Sequence, residues 1–180
     1  MTRLFVISGS SGVGKGTVIK GFLAKHDDFR LSISCTTRTK REGEEHGVNY
    51  FFLSSEEFDN CINNAEFLEW AEFSGNRYGT KKEYVEKCLN RGENLILEID
   101  TKGALNVKKL MPEATLIFIA PPSFEELEAR LRGRHTETEE AIQKRLASIK
   151  LEIENSQYFD YKVINDTVEN AILQLEKIML

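Results

Sequence analysis

Apolar residues recur along this chain with two different periods, and the alternation between them lays out the fold. Leu4 to Ile7 is an unbroken apolar run, the pattern of a strand buried on both faces. Asn94 to Asp100 (NLILEID), ending in two carboxylates, and Thr115 to Pro122 (TLIFIAPP) are further apolar strands, and Tyr161 to Asn165 reads as a last one. The stretches between follow the helical period. A helix from about Gly14 to Lys25 carries Val18, Ile19, Phe22 and Leu23 on one side, and others are expected over Lys102–Leu110, from a Ser123–Glu126 capping box, and over Glu137–Gln157. A closing helix presents Ala171, Ile172, Leu175 and Ile178 on one stripe, a core face. Strands separated by helix-length crossovers must run parallel, so the prediction is a doubly wound parallel α/β sheet.

Residues from about 34 to 80 break this rhythm. Leu31 and Ile33 alternate with Ser32 and Ser34 like a strand, after which Thr36 to Gly47 reads as a mobile, exposed loop. A short strand is expected at Asn49–Leu53, then a brief helix opened by a Ser54–Glu57 capping box and ended by Asn63-Asn64. Phe67–Phe73 (FLEWAEF) reads as a strand with Trp70 in core packing, SGNRYGT as a turn, and Lys81–Asn90 as a helix stopped by Gly92. The expected division is one domain over 1–180. Its core covers about 1–33, 85–125 and 150–180, with a small inserted subdomain at about 34–84 and a charged helical lid at about 126–149.

Composition narrows the function classes. A chain of 180 residues with 41% hydrophobic and 29% charged residues suits one soluble domain, and no apolar run approaches the roughly 20 residues of a membrane span. A net charge of −5 argues against nucleic acid as the partner, though not against a basic pocket for a small anion. Cys35, Cys61 and Cys88 are odd in number and widely spaced, as expected for reduced thiols, and Met1-Thr2-Arg3 leads straight into the first strand without an export signal. A cytoplasmic protein, monomer or homo-oligomer, is expected.

The break after the first strand carries the chemistry. Gly9-Ser10-Ser11-Gly12-Val13-Gly14-Lys15 fits GxxxxGK between a strand and a helix, a phosphate-binding loop. Glycine at positions 9, 12 and 14 lets main-chain N–H groups converge on an anion, Lys15 adds a mobile cation, and the following helix aims the positive end of its dipole at the same place. Gly16 stands where Ser or Thr usually contacts magnesium, with Thr17 next, which puts metal contact by the loop in doubt.

In such sheets ligands gather at the carboxyl ends of the strands. Ser34, Arg38 and Arg41 follow one extended run, with Tyr50 nearby, and the two guanidinium groups suit a second phosphate. Glu98 and Asp100, two apart, share a strand face from which they could hold or water-coordinate magnesium beside a transferred phosphate. Arg130, Arg134 and Arg145 lie where a closing flap could neutralise a phosphoryl in transit. His26, His46 and His135 show no ligand-like spacing.

With ISGSSGVGKGT, SISCTTRTKREGE, NYFF, EFLEWAEFSGNRYGT, LEID, FIAPPS and RGRHTETEEAIQKRL on the page, the chain resembles the guanylate kinase family over essentially its whole length. The resemblance implies a P-loop kinase fold and transfer of the ATP γ-phosphate to GMP, and to dGMP, with Mg2+. It implies that Gly9 through Thr17 bind ATP, with Arg130 and Arg134 from the lid and Asn165 and Asp166 beside adenine. It places Arg38, Arg41, Tyr50 and Tyr78 on the GMP phosphate and Ser34, Glu69 and Thr80 on guanine, with Glu98 and Asp100 near GMP and the metal. Lys15, Arg38, Asp100, Arg134 and Arg145 would be the catalytic set. A carboxylate at Glu69 accepting from guanine N1–H and the 2-amino group, with hydroxyl donors facing O6, is the pattern that adenine reverses. Departures are Gly16 and Cys35, where many members carry Ser.

Overall fold

In the computed structural model, which describes residues 3–73, 75–132 and 138–180 and the backbone only of Phe73, Arg130 and Leu131, the chain opens with β1 (Leu4–Gly9), α1 (Lys15–Leu23) and β2 (Phe29–Leu31). The inserted region holds β3 (Cys35–Thr36), β4 (Phe51–Phe52), α2 (Ser55–Asn63), β5 (Phe67–Phe73) and β6 (Asn76–Lys81). Then follow α3 (Lys82–Asn90), β7 (Asn94–Glu98), α4 (Thr101–Leu110), β8 (Thr115–Ala120), α5 (Phe124–Arg132), α6 (Glu139–Asn155), β9 (Tyr161–Ile164) and α7 (Val168–Met179).

The four expected strands and the short β2, mostly exposed at one edge, form one parallel sheet in the order β2-β7-β1-β8-β9. Period-two alternation sends Phe5 and Ile7 of β1 to one face, against Val18, Ile19 and Phe22 of α1 and Ala171, Ile172 and Leu175 of α7. Leu4 and Val6 go to the other face, against Val85, Cys88, Ala104 and Val107 of α3 and α4. Each such side chain contributes roughly 1.5–3 kcal/mol on burial, which is why the sheet needs helices on both sides. The closing helix is thus core, as expected. At the outer edge the Gln174 side chain accepts from the Ile164 N–H at 3.1 Å and donates to the Ile164 carbonyl at 2.9 Å, standing in for a neighbouring strand.

The inserted region differs from its expected outline in four places. The LSIS run is not one strand: β2 stays in the main sheet, the Ser32 N–H makes one more bond to Ile96, and Cys35 then pairs with Gly79 in a second sheet ordered β4-β3-β6-β5. SGNRYGT is mostly strand β6, antiparallel to β5, because tertiary pairing from Asn76 to Lys81 overrides its Gly- and Asn-rich composition. The expected strand at Asn49–Leu53 shrinks to Phe51–Phe52, since Asn49 bonds back to Glu45. Trp70 is 45% exposed rather than core, because a bulge between Phe67 and Glu69 shifts the register and turns Glu69 inward in its place. The Ser54–Glu57 capping box forms in full. Helix α6 begins at Glu139 behind a Thr138 cap and gives way to a 3-10 turn at Ser156, two residues inside each expected end. All three cysteines are buried and free. No helix among the described residues is long and apolar enough to cross a membrane.

Candidate active site

The phosphate loop connects β1 to α1 through two glycines in the left-handed region, Gly12 (φ 82°) and Gly14 (φ 88°). Gly14 caps α1, so Lys15 and Gly16 form its first turn with N–H groups free of helical partners. Gly9 has a different reason to be glycine: a Cβ there would stand 2.5 Å from the Ile119 carbonyl oxygen, so it serves the β1–β8 packing beneath the loop. Val13 is buried, its carbonyl accepting from the buried Asn165 side chain at 2.7 Å. Asn165, expected beside adenine, thus braces the loop. Asp166 bonds the Thr167 N–H and the Asn170 side chain at the start of α7. Ser10 is buried and Thr17 exposed.

From the same loop, Lys15 lines a cavity of about 410 Å³ between the two sheets, walled by Ser32, Ser34, Asn49, Tyr50, Glu69, Tyr78, Gly79, Glu98 and Asp100. The volume suits a small-molecule ligand. Ser34, Tyr50, Glu69, Tyr78, Glu98 and Asp100, scattered over 66 positions in sequence, are therefore brought to one wall. Glu69 is 8% exposed and accepts a 2.6 Å hydrogen bond from the Thr80 hydroxyl. Burial pushes its carboxyl up to about 7, Asp100 adds to the rise, and the Thr80 bond opposes it. Gly103 allows this approach, since a Cβ there would sit 2.9 Å from Glu69 Oε2. Asp100 is not a strand residue, because β7 ends at Glu98; it caps α4, accepting from the Gly103 N–H at 2.6 Å. Glu98 and Asp100 still converge on the cavity by these two routes. Glu98 Oε1 lies 3.8 Å from where a Gly16 Cβ would be.

Arg38 lies beside this wall in an aromatic cradle, its guanidinium 5.4 Å from the Tyr50 ring centroid and 5.8 Å from that of Phe52. It is paired with Glu44 at 2.7 Å, which holds the Glu44 carboxyl below its ordinary range. Glu44 also accepts from the Arg41 N–H, while Arg41 itself is exposed and not among the residues lining the cavity. Arg145 reaches from α6 to donate to Ser11 Oγ at 3.1 Å. Arg134 lies outside the described residues, as does the Arg130 side chain. Arg132, which had no assigned role, bridges α5 and α6 through Glu128 and Glu139. Sequence reading missed Glu152, whose carboxylate accepts from the Ser11 N–H, because nothing local marks a mid-helix glutamate 141 positions away. It also missed Glu44 as the partner of Arg38, which opposite charges six apart in a polar loop could have suggested.

No group of three or more His, Cys, Asp or Glu residues among those described forms a metal site. That is compatible with magnesium, which is commonly held by one or two carboxylates plus substrate phosphates and water.

A family model described as "Guanylate kinase" matches residues 1–180. A guanylate kinase of Streptomyces coelicolor is 51% identical over 96% of this chain and 88% of its own length, and one of Bacillus cereus is 52% identical over 98% and 87%. The crystal structure of guanylate kinase from Anaplasma phagocytophilum superposes with a TM-score of 0.78 at 31% identity, covering 99% of this chain and 84% of that one. A family model matching residues 1–180 and relatives at about half identity over nearly all of this chain establish that it belongs to the guanylate kinase family.

Proposed function

We propose that the protein transfers the γ-phosphate of ATP to GMP, and to dGMP, with the phosphate loop holding ATP and the 410 Å³ cavity holding the acceptor. The observation that carries this reading is the position of Lys15, which belongs to the loop and also lines the acceptor cavity. One ammonium group can therefore touch both the donor phosphates and the oxygen that attacks them.

Glu69, ionised, accepts from guanine N1–H and the 2-amino group, while the Ser34 hydroxyl stands on the O6 side; Thr80, whose one hydroxyl proton goes to Glu69, reads guanine only by orienting that carboxylate. Adenine, with an acceptor at N1 and no 2-amino group, would leave the buried Glu69 carboxylate without its base partners. Arg38, Tyr50 and Tyr78 take the GMP phosphate, with Arg38 exchanging Glu44 for the substrate and Arg41 joining from the loop. An ionised oxygen of the GMP phosphate then forms a bond to the γ-phosphorus as the bond from that phosphorus to the β,γ-bridging oxygen breaks, and ADP carries away the electron pair. Lys15, Arg145 and the lid arginines Arg130 and Arg134 neutralise the charge in transit, and no covalent enzyme intermediate is required because both phosphates share one cleft. Closure of the inserted sheet and lid excludes water, which would otherwise accept the phosphoryl. Magnesium, when bound with ATP, supplies charge neutralisation between phosphates, and Glu98 and Asp100 are the protein groups that would hold it or its water. The buried free cysteines support a reducing compartment, the cytoplasm.

A coupled assay with GMP, dGMP, AMP and UMP at fixed ATP tests this. Turnover with the two guanine nucleotides and little with the others is expected. Equal turnover with AMP would overturn the assignment of Glu69, and ATP binding without any GMP turnover would indicate a binding platform instead of an enzyme.

A further inference from the structure

One main-chain N–H of the phosphate loop already faces an anion. Ser11 donates at 3.1 Å to Glu152 Oε2, a half-buried carboxylate on α6, while the Ser11 hydroxyl accepts from Arg145 Nη2 at 3.1 Å. Arg145 and Glu152 are seven residues apart, two helical turns, so they project from the same face of α6. Ser11 is thus held at its backbone and its side chain by one helix. That helix packs on α5 through Ile142, Leu146 and Ile149 around Leu127. Burial raises the Glu152 carboxyl, opposed first by the Ser11 bond and then by the charge of Lys15.

We infer that Glu152 is a positioning residue of the phosphate loop: by fixing the Ser11 N–H it sets the loop's shape before nucleotide arrives and ties that shape to α6. This rests on the reading that the loop receives the phosphates of ATP. Glu152 touches no substrate in that reading; it acts through Ser11. A loop held open by a charge-assisted bond loses less conformational freedom when ATP binds, and without the carboxylate that ordering falls on the nucleotide. The effect therefore belongs to ATP affinity and leaves the GMP pocket alone.

The test compares wild type, Glu152→Ala, Glu152→Gln and Glu152→Asp by calorimetric titration with ATP and by KM for each substrate. Glu152→Ala should weaken ATP binding and raise the ATP KM by roughly ten-fold, the size expected for loss of one hydrogen bond to a charged group, with the GMP KM unchanged. Glu152→Gln, which keeps an acceptor oxygen at the same reach, should recover most of the loss. Glu152→Asp withdraws the oxygens by one methylene and should resemble the alanine variant, so it serves if alanine fails to fold. Unchanged ATP affinity in Glu152→Ala overturns the inference. So does a parallel rise in both KM values with a lowered Tm that glutamine does not restore, which would mark plain structural support. Failure of wild type to bind ATP would instead sink the reading of the loop itself, and is seen before any variant is compared.

Discussion

The two halves of the site are built on opposite plans. On the proposed reading, the donor side is a contiguous loop, residues 9–17, that would meet its ligand with main-chain N–H groups and one lysine, shaped by Gly12 and Gly14 in the left-handed region. The acceptor side is assembled from side chains of β5, β6, the loop before β4, the end of β7 and the cap of α4, brought together by a second sheet. A backbone site supplies generic affinity for phosphate, and a side-chain site can tell one base from another. The protein places the first at the end of its parallel sheet and builds much of the second on the smaller four-stranded sheet.

Substitutions at the junction and on either side should separate the two plans. Lys15→Met removes the one group shared by both and should lower kcat by about 10³–10⁵-fold, by analogy with other phosphate-neutralising groups; steady-state turnover at saturating ATP and GMP would reveal it. Glu69→Gln removes base recognition alone and should raise the GMP KM by about 10–200-fold with the ATP KM unchanged. Equal movement of both constants would show that Glu69 holds the fold and reads no base.

Acidity should act on the acceptor side in the same direction. With the Glu69 carboxyl pushed up to about 7, lowering pH through that value protonates the acceptor that guanine needs. The GMP KM should rise about ten-fold for each unit below 7, and the ATP KM should not follow. Stability moves the opposite way. A carboxyl whose folded pKa exceeds its unfolded one favours the fold at low pH, so its contribution declines as pH rises from 4.5 to about 7. Glu69→Gln should therefore unfold at higher temperature than wild type at pH 8, a gain of up to about 3 kcal/mol.

The smallest expected effect on catalysis comes from beneath the donor loop. Gly9→Ala forces a Cβ against the Ile119 carbonyl, a backbone atom that cannot swing aside, and should cost about 1–3 kcal/mol of stability. Thermal unfolding should report this while the GMP KM holds. If the GMP KM changed instead, Gly9 would belong to the acceptor side after all.

The same division explains what could be read in advance. The parallel sheet, its helices and the phosphate loop follow from apolar runs and a local motif, because each is specified by neighbours in sequence. Of the acceptor wall, Ser34, Tyr50, Glu98 and Asp100 could be read from their places beside extended runs, whereas Glu69 and Tyr78 were reachable only through resemblance, since they carry no chemical spacing until β5 and β6 pair. Strand β6 hid behind Gly75 and Asn76, residues that usually mark a turn, and Trp70 was misplaced because a bulge cannot be seen in an alternating pattern. Asn165 and Glu152 support the phosphate loop from 152 and 141 positions away. Contacts at such separations leave no periodic trace.

The side-chain amide of Gln174 on Ile164 bears on how copies of this chain meet one another. A strand arriving from a neighbouring molecule finds the donor and acceptor of Ile164 already taken, and meets the exposed side chain of Lys162 two residues earlier. On this flank one glutamine and one lysine disfavour the edge-to-edge pairing that an open strand invites.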